Sequence, residues 1–135
     1  MEFSKRVAVI TGGGSGIGRA VAASMARRGI AAVALVDVSE AIEDVAAKLN
    51  AEAGRTFAIP FHGNTTDEAF RAQVYDSISR KYGPVSMCVP AAGITRDDLA
   101  VRVDKNTGKA RIYPLDQFKL VVDVNLIAPD RKSTR

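Results

Sequence analysis

Among 135 residues there is one cysteine, one histidine and no stretch apolar enough to span a bilayer. A solitary Cys88 closes no internal bridge, so neither a disulfide scaffold nor an oxidising compartment is required. His62 has no cysteines or carboxylates gathered near it in the sequence, so a surface or packing role is expected and no metal. The most convincing apolar run, Ile30 to Val36, has seven residues before Asp37 interrupts it. A membrane helix needs about 20. Met1-Glu2-Phe3-Ser4 has no apolar core of the secretory kind, so the expected location is the cytoplasm. The 11 glycines follow no period, which excludes collagen, and no repeat of solenoid length is present.

What is present is globular composition, with 47% hydrophobic and 25% charged residues. The length suits one domain, read here as residues 1–128 followed by a basic tail over 129–135. The formal net charge of +4 comes largely from that tail, where Arg131, Lys132 and Arg135 lie. Without these three, 16 Lys and Arg face 15 Asp and Glu. A nucleic-acid surface needs basic residues clustered on a folded face. Here they alternate with acids, so no nucleic-acid partner is expected, and no membrane.

Strand-like and helix-like periods alternate along the chain, as in parallel sheets built of βαβ units. Val7 to Thr11 is a short apolar strand of the kind buried on both faces. The spacing predicts a helix with Ile17, Ala20, Val21, Ser24 and Met25 along one stripe, ending at Gly29. Ala31 to Val36 is the second strand. A helix with Ile42, Val45, Ala46, Leu49 and Ala53 inside follows and ends at Gly54. Thr56 to Phe61 is the third strand. Thr65 and Glu68 have capping-box spacing before a helix burying Phe70, Val74 and Ile78. Val85 to Val89 is the fourth strand, with Cys88 expected to be a buried small hydrophobe. Between Leu99 and Tyr113 alternating residues flank a turn-rich Asp104 to Lys109, which predicts a surface hairpin. The last helix starts at Leu115, presents Phe118, Val121, Val122, Asn125 and Leu126 on one face, and should kink or end at Pro129.

Thr11-Gly12-Gly13-Gly14-Ser15-Gly16-Ile17-Gly18 lies between a strand and a helix. In that context glycines serve a tight turn, close approach of backbone to a pyrophosphate, and packing of helix on strand. The helix N-terminus then offers free amides to phosphates. Gly12, Gly14, Ser15, Gly16, Ile17 and Gly18 are therefore candidate cofactor residues; the plainer reading is a loop that only turns the chain. No Gly-Lys-Ser/Thr follows, which excludes a Walker loop. Asp37, with Val38 beside it, stands nineteen residues after Gly18. An acid at about this distance accepts the adenosine ribose hydroxyls. Its charge would repel a 2′-phosphate, so NAD is the expected cofactor. The plainer alternative is a polar residue opening the next helix beside Ser39. Asp97-Asp98 is a weaker candidate for a divalent ion, with a solvated loop as its alternative.

The spacing of Gly12, Gly16 and Gly18 resembles that of the short-chain dehydrogenase/reductase family, and three further segments agree in order. Val89-Pro90-Ala91-Ala92-Gly93-Ile94 is similar to the family's Asn-Asn-Ala-Gly segment beside the cofactor, with Pro90 in place of the first Asn. Asn64-Thr65 sits where the family has Asp-Val against the adenine. Val124-Asn125-Leu126 is similar to the helix segment whose Asn belongs to the catalytic tetrad. The resemblance thus implies NAD(H)-binding roles for Ala91, Ala92, Gly93, Asn64 and Thr65, and a catalytic position for Asn125. By helical spacing Asn125 is expected to be buried and to need a partner.

The resemblance also implies hydride exchange between nicotinamide and a small carbonyl or alcohol substrate. A phenol with pKa near 10 serves poorly as a base at neutral pH without a cation beside it, and the family supplies a Lys four residues after its Tyr. Four residues beyond Tyr75, Tyr82 and Tyr113 stand Ser79, Ser86 and Gln117. No Tyr-x-x-x-Lys is present, nor the Ser strand expected after Asn125. The fold expected is an α/β Rossmann-type parallel sheet with flanking helices, truncated after the fourth strand and the helix that follows. The fourth strand should then be an exposed apolar edge, open to homo- or hetero-oligomer formation. Two functions follow: an oxidoreductase represented by its cofactor-binding part, or a non-catalytic dinucleotide-binding or interaction module pairing with a full-length relative.

Overall fold

The computed structural model describes residues 2–132. Strands β1 (Val7–Thr11), β2 (Ala32–Asp37), β3 (Ala58–His62) and β4 (Met87–Pro90) form one sheet in the order β3-β2-β1-β4, every pair parallel. Helices α1 (Gly16–Arg27), α2 (Ile42–Ala53) and α3 (Glu68–Tyr82) connect them. The predicted βαβ layout is observed, with strand ends displaced by one or two residues.

Alternation along the inner strands divides the core. Ala8 and Ile10 of β1 and Val33 and Leu35 of β2 face α1 and α2, where Met25, Ile42, Leu49 and Phe57 complete one apolar layer. Val7, Val9, Ala32, Ala34 and Val36 face the other way, onto Val74 and Ile78 of α3. Both faces of β1 are therefore covered, which is why its five residues are all buried. Helix α1 is rotated from the predicted stripe: Met25 is buried as expected, but Gly18 and Ala22 join it inside while Ile17 is 76% exposed. Close packing of the helix start on the glycine loop selects Gly18 for the inside.

Helix α2 is tied to β3 by Asn50. Its Oδ1 accepts from Phe57 N at 2.9 Å and Ala58 N at 2.8 Å, and its Nδ2 donates to Ala58 O at 2.9 Å. The predicted cap of α3 is corrected. Asp67, rather than Thr65, is the N-cap, accepting from Ala69 N and Phe70 N. Thr65 is instead buried at 6% exposure, and Arg71 donates to its carbonyl at 2.8 Å.

Beyond β4, an antiparallel hairpin of β5 (Val101–Val103) and β6 (Ala110–Ile112) forms where predicted. Asp98 accepts from Arg102 and Arg111, each at 2.7 Å, and Tyr113 donates its hydroxyl to Arg96 O at 2.6 Å. Helix α4 (Leu115–Val122) leads through a π-helical turn at Asp123–Ile127 into α5 (Ala128–Lys132). A kink or an end is expected at Pro129; the helix does not end there, and its regular winding is broken in the turn before it. A proline ring presses on the carbonyl four residues back, here that of Asn125. The wider turn before it, with Ala128 N donating to Asp123 O, lets the helix continue. Pro129 to Lys132 of the predicted basic tail are helical; its remaining positions, 133–135, lie outside the described residues.

The sheet ends on β3 at one side and on β4 at the other. Strand β4 is half-buried rather than sealed, and so is Cys88, which corrects the expectation that its thiol lies in the core. The Tyr75 hydroxyl approaches the Cys88 Sγ at 3.4 Å. Burial, and secondarily this contact, raise the Tyr75 phenol well above its ordinary range.

Candidate functional site

The C-terminal ends of the strands gather the candidates. Thr11 pairs with Val36 of β2 and Pro90 of β4, and Asp37 pairs with His62. The chain runs outward from β1 through β2 to β3 and then crosses back to β4 on the other side of β1, so the C-terminal ends of β1 and β4 form the switch point where α/β sheets bind ligands. The glycine loop and the segment after β4 meet there. Ala91 N donates to Thr11 O at 3.1 Å, and Ala92 N to Thr11 Oγ1 at 3.3 Å. Thr11 was not among the candidate residues; its one sequence signal is a hydroxyl ending an otherwise apolar strand.

At Gly12 and Gly18 of the glycine loop backbone packs on backbone, leaving no room for a side chain. A Cβ on Gly12 would stand 2.8 Å from the Ala91 carbonyl and from Ala92 N, and Gly12 has φ +68°. A Cβ on Gly18 would run into the Gly12 carbonyl oxygen and lie 2.8 Å from its carbon. These approaches are what bring backbone, not side chains, to the mouth of the sheet. Helix α1 begins with no acidic residue in its first turn and no side-chain bond from its N-cap, Ser15. Arg19 N makes the first bond of the helix, to Ser15 O at 3.2 Å. The amides of Gly16, Ile17 and Gly18 precede it, as donors suited to phosphate oxygens. Ser15, Gly16 and Ile17 are exposed.

Asp37 ends β2 beside this loop. Its Oδ2 accepts from Gly14 N at 2.9 Å and its Oδ1 from Ser39 N at 3.0 Å. Val38 is exposed next to it, and Val38 O lies 3.0 Å from the His62 Nε2, which gives His62 a surface role. Asn64 is exposed just past β3, where its Oδ1 accepts from Thr66 N at 2.9 Å. Thr65 turns inward from it. Ala91 and Ala92 are half-buried and Gly93 is exposed, opposite Asn125.

Asn125 is exposed, which corrects the expectation of burial, but it has the partners that expectation demanded. Its Oδ1 accepts from Ile94 N at 2.9 Å and its Nδ2 donates to Ile94 O at 2.8 Å. The side chain lies along the loop after β4 like a short strand partner, beside the π-helical turn. Asp98 is engaged by two arginines, and among the described residues no group of three His, Cys, Asp or Glu could hold a metal. Its carboxyl is held below the usual range, first by the Leu99 amide and then by Arg102 and Arg111.

Strand order, parallel pairing and a glycine loop at the switch point define a Rossmann-type α/β protein. The chain belongs to the short chain dehydrogenase family, whose model matches residues 6–130. It is 36% identical over 92% of its length to cis-4-hydroxycyclohexanecarboxylate dehydrogenase of Sinomonas cyclohexanicum, of which it covers 45%. It is 29% identical over 98% of its length to the 3-oxoacyl-acyl-carrier-protein reductase FabG of Salmonella typhimurium, covering 48%. Among solved structures, NAD+-bound xylitol dehydrogenase is similar with a TM-score of 0.76 at 27% identity, over 98% of this chain and 46% of that one. A short-chain dehydrogenase from Novosphingobium aromaticivorans shares the fold with a TM-score of 0.81 at 22% identity, over 98% of this chain and 44% of that one. The chain therefore spans about half the length of the relatives it matches. No helix among the described residues is long and apolar enough to cross a membrane.

Proposed function

We propose that this chain supplies the cofactor-binding part of an NAD-dependent oxidoreductase that moves hydride between nicotinamide and a carbonyl or alcohol carbon. The observation that carries the reading is the carboxylate of Asp37 standing at the end of β2 within hydrogen-bond reach of the glycine loop. There it would accept the adenosine ribose hydroxyls and oppose a 2′-phosphate. The nicotinamide cofactor, when bound, supplies the hydride chemistry. The chain's own contribution is to bind and orient: Gly12 to Gly18 and the α1 amides on the pyrophosphate, Asp37 and Val38 at the ribose, Asn64 toward the adenine with the buried Thr65 fixing the turn behind it, and Ala91 to Gly93 as a second wall. Asn125 acts on this wall by holding Ile94. The proton transfer is assigned to no residue here, because none of the three tyrosines has a lysine four positions on.

A second reading, a non-catalytic module that pairs with a longer relative, is favoured by one feature. The half-buried edge strand β4 is accompanied by exposed Leu115, Phe118 and Leu126 on the following helical segments. Calorimetric titration of the chain with NADH and NADPH tests the first reading. Saturable NADH binding at least about tenfold tighter than NADPH, and weakened about tenfold or more in Asp37→Ala, is expected for loss of a charged hydrogen-bond partner. Equal affinity for both cofactors, or an Asp37→Ala variant that binds NADH as well as the parent, would contradict it.

A further inference from the structure

The glycines of the loop differ in what a side chain on each would strike. At Gly12 and Gly18 the obstacle is backbone, and at Gly16 there is nothing within 4 Å. Gly14 alone faces Asp37: a Cβ there would stand 2.9 Å from Oδ2 and 3.1 Å from Cγ of that carboxylate. The amide of the same glycine donates to Oδ2 at 2.9 Å, while Ser39 N holds Oδ1 at 3.0 Å. Asp37 is thus held at both oxygens by main-chain amides, and its position depends on residue 14 having no side chain.

We propose that Gly14 is a positioning residue for cofactor choice, aiming the Asp37 carboxylate at the adenosine ribose. The inference rests on the reading above that Asp37 meets that ribose. A carboxylate has about four lone-pair sites, so each anchored oxygen keeps one for a ribose hydroxyl. To make room for a 2′-phosphate the carboxylate must swing away, which breaks two charge-assisted hydrogen bonds. The anchors therefore convert a flexible acid into a fixed one, and a fixed negative charge discriminates better than one that can retreat. A methyl group at residue 14 strikes the far end of a side chain rather than backbone. The fold can accept it; the orientation of Asp37 cannot.

Two measurements test this. In the chain without cofactor, the Gly14 amide should exchange with solvent at least about tenfold more slowly than in Asp37→Ala. Equal exchange in the two would remove the anchor, whatever the chain binds. Titration with NADH and NADPH is then compared among the parent, Gly14→Ala, Asp37→Ala and the double variant. Gly14→Ala should bind NADH about tenfold more weakly and NADPH no more weakly than the parent. In the Asp37→Ala background it should change neither affinity, because the residue it acts through is gone. Equal loss for both cofactors, or a further NADH loss in that background, would mean that the methyl group obstructs the cofactor itself, and would overturn the proposal. A parent chain that binds neither cofactor while Gly14 is protected would overturn the cofactor reading and the role of Gly14 with it. That result would locate the error in the reading rather than in the anchor.

Discussion

Replacing Gly18 with alanine puts a methyl group inside the backbone of the glycine loop. The new carbon would overlap the Gly12 carbonyl oxygen, and would lie 2.8 Å from the Gly12 carbon and 3.2 Å from Gly13 Cα. Ordinary carbon contacts fall near 3.5–4.0 Å, and none of these atoms can rotate aside as a side-chain tip can. Either α1 moves off β1 or the loop moves off Ala91. Overpacking of this kind costs about 1–3 kcal/mol, and more when backbone must shift. Against it stands the better helix propensity of alanine, worth at most about 1 kcal/mol. A net loss of about 2 kcal/mol is expected, or roughly 8 °C in melting temperature for a domain of this size. Gly16→Ala is the control. Gly16 has φ +47° and open space around it, so only left-handed backbone strain of about 1–2 kcal/mol remains. Thermal and urea unfolding followed by circular dichroism measure the stability, and NADH titration measures the loop. Gly18→Ala should lose at least about tenfold in NADH affinity even where it remains folded, because its amide and that of Gly12 are displaced together. A Gly18→Ala chain that melts within about 2 °C of the parent and binds NADH equally well would refute the close-approach argument.

Two further predictions concern the β4 side of the molecule. Burial and the Cys88 contact raise the Tyr75 phenol above its ordinary value of 10.0. The unfolded chain therefore loses this proton first, so its stabilising effect is complete below about pH 10 and is lost as pH rises above it. Urea unfolding between pH 8 and 11 should show a steeper decline for the parent than for Tyr75→Phe, and parallel declines would refute the assignment. Asn125→Ala removes both bonds to Ile94 and should cost about 1–2 kcal/mol, with faster amide exchange at Ile94; Asn125→Asp, which keeps only an acceptor, should lose as much or more. Unchanged exchange at Ile94 in both variants would show that the loop holds its shape without this side chain.

Much of this architecture is legible without coordinates, because it depends on local periods. A run such as Val7 to Thr11 has no polar side to offer solvent, so it is legible as an inner strand. Ile42, Val45, Ala46 and Leu49 recur at helical spacing, so the buried face of α2 follows from the sequence, and the glycine loop declares itself by lying between the two. Asp37 is visible for the same reason, as an acid that ends an apolar strand at a known distance from the glycines. The hairpin of β5 and β6 was legible from alternation around Asp104 to Lys109.

Relations between distant segments were decided by tertiary structure. That Gly18 and Ala22, not Ile17, lie beside Met25 on the inner face of α1 depends on how closely the helix start packs on the loop, a matter of tenths of an ångström between backbones. That Asp67 rather than Thr65 caps α3 depends on the path of the chain out of β3, which draws Thr65 inward. Asn125 looked like a core position by its period, yet α4 and α5 leave it exposed, and its partners come from Ile94, 31 residues away. The bond from Gly14 to Asp37 spans 23 residues. Periodicity assigns a residue to a face of its own element, whereas a hydrogen bond across elements requires both ends to be placed. A one-dimensional pattern holds no such distance, so the loop and its acid were each readable in the sequence, and only the fold joined them.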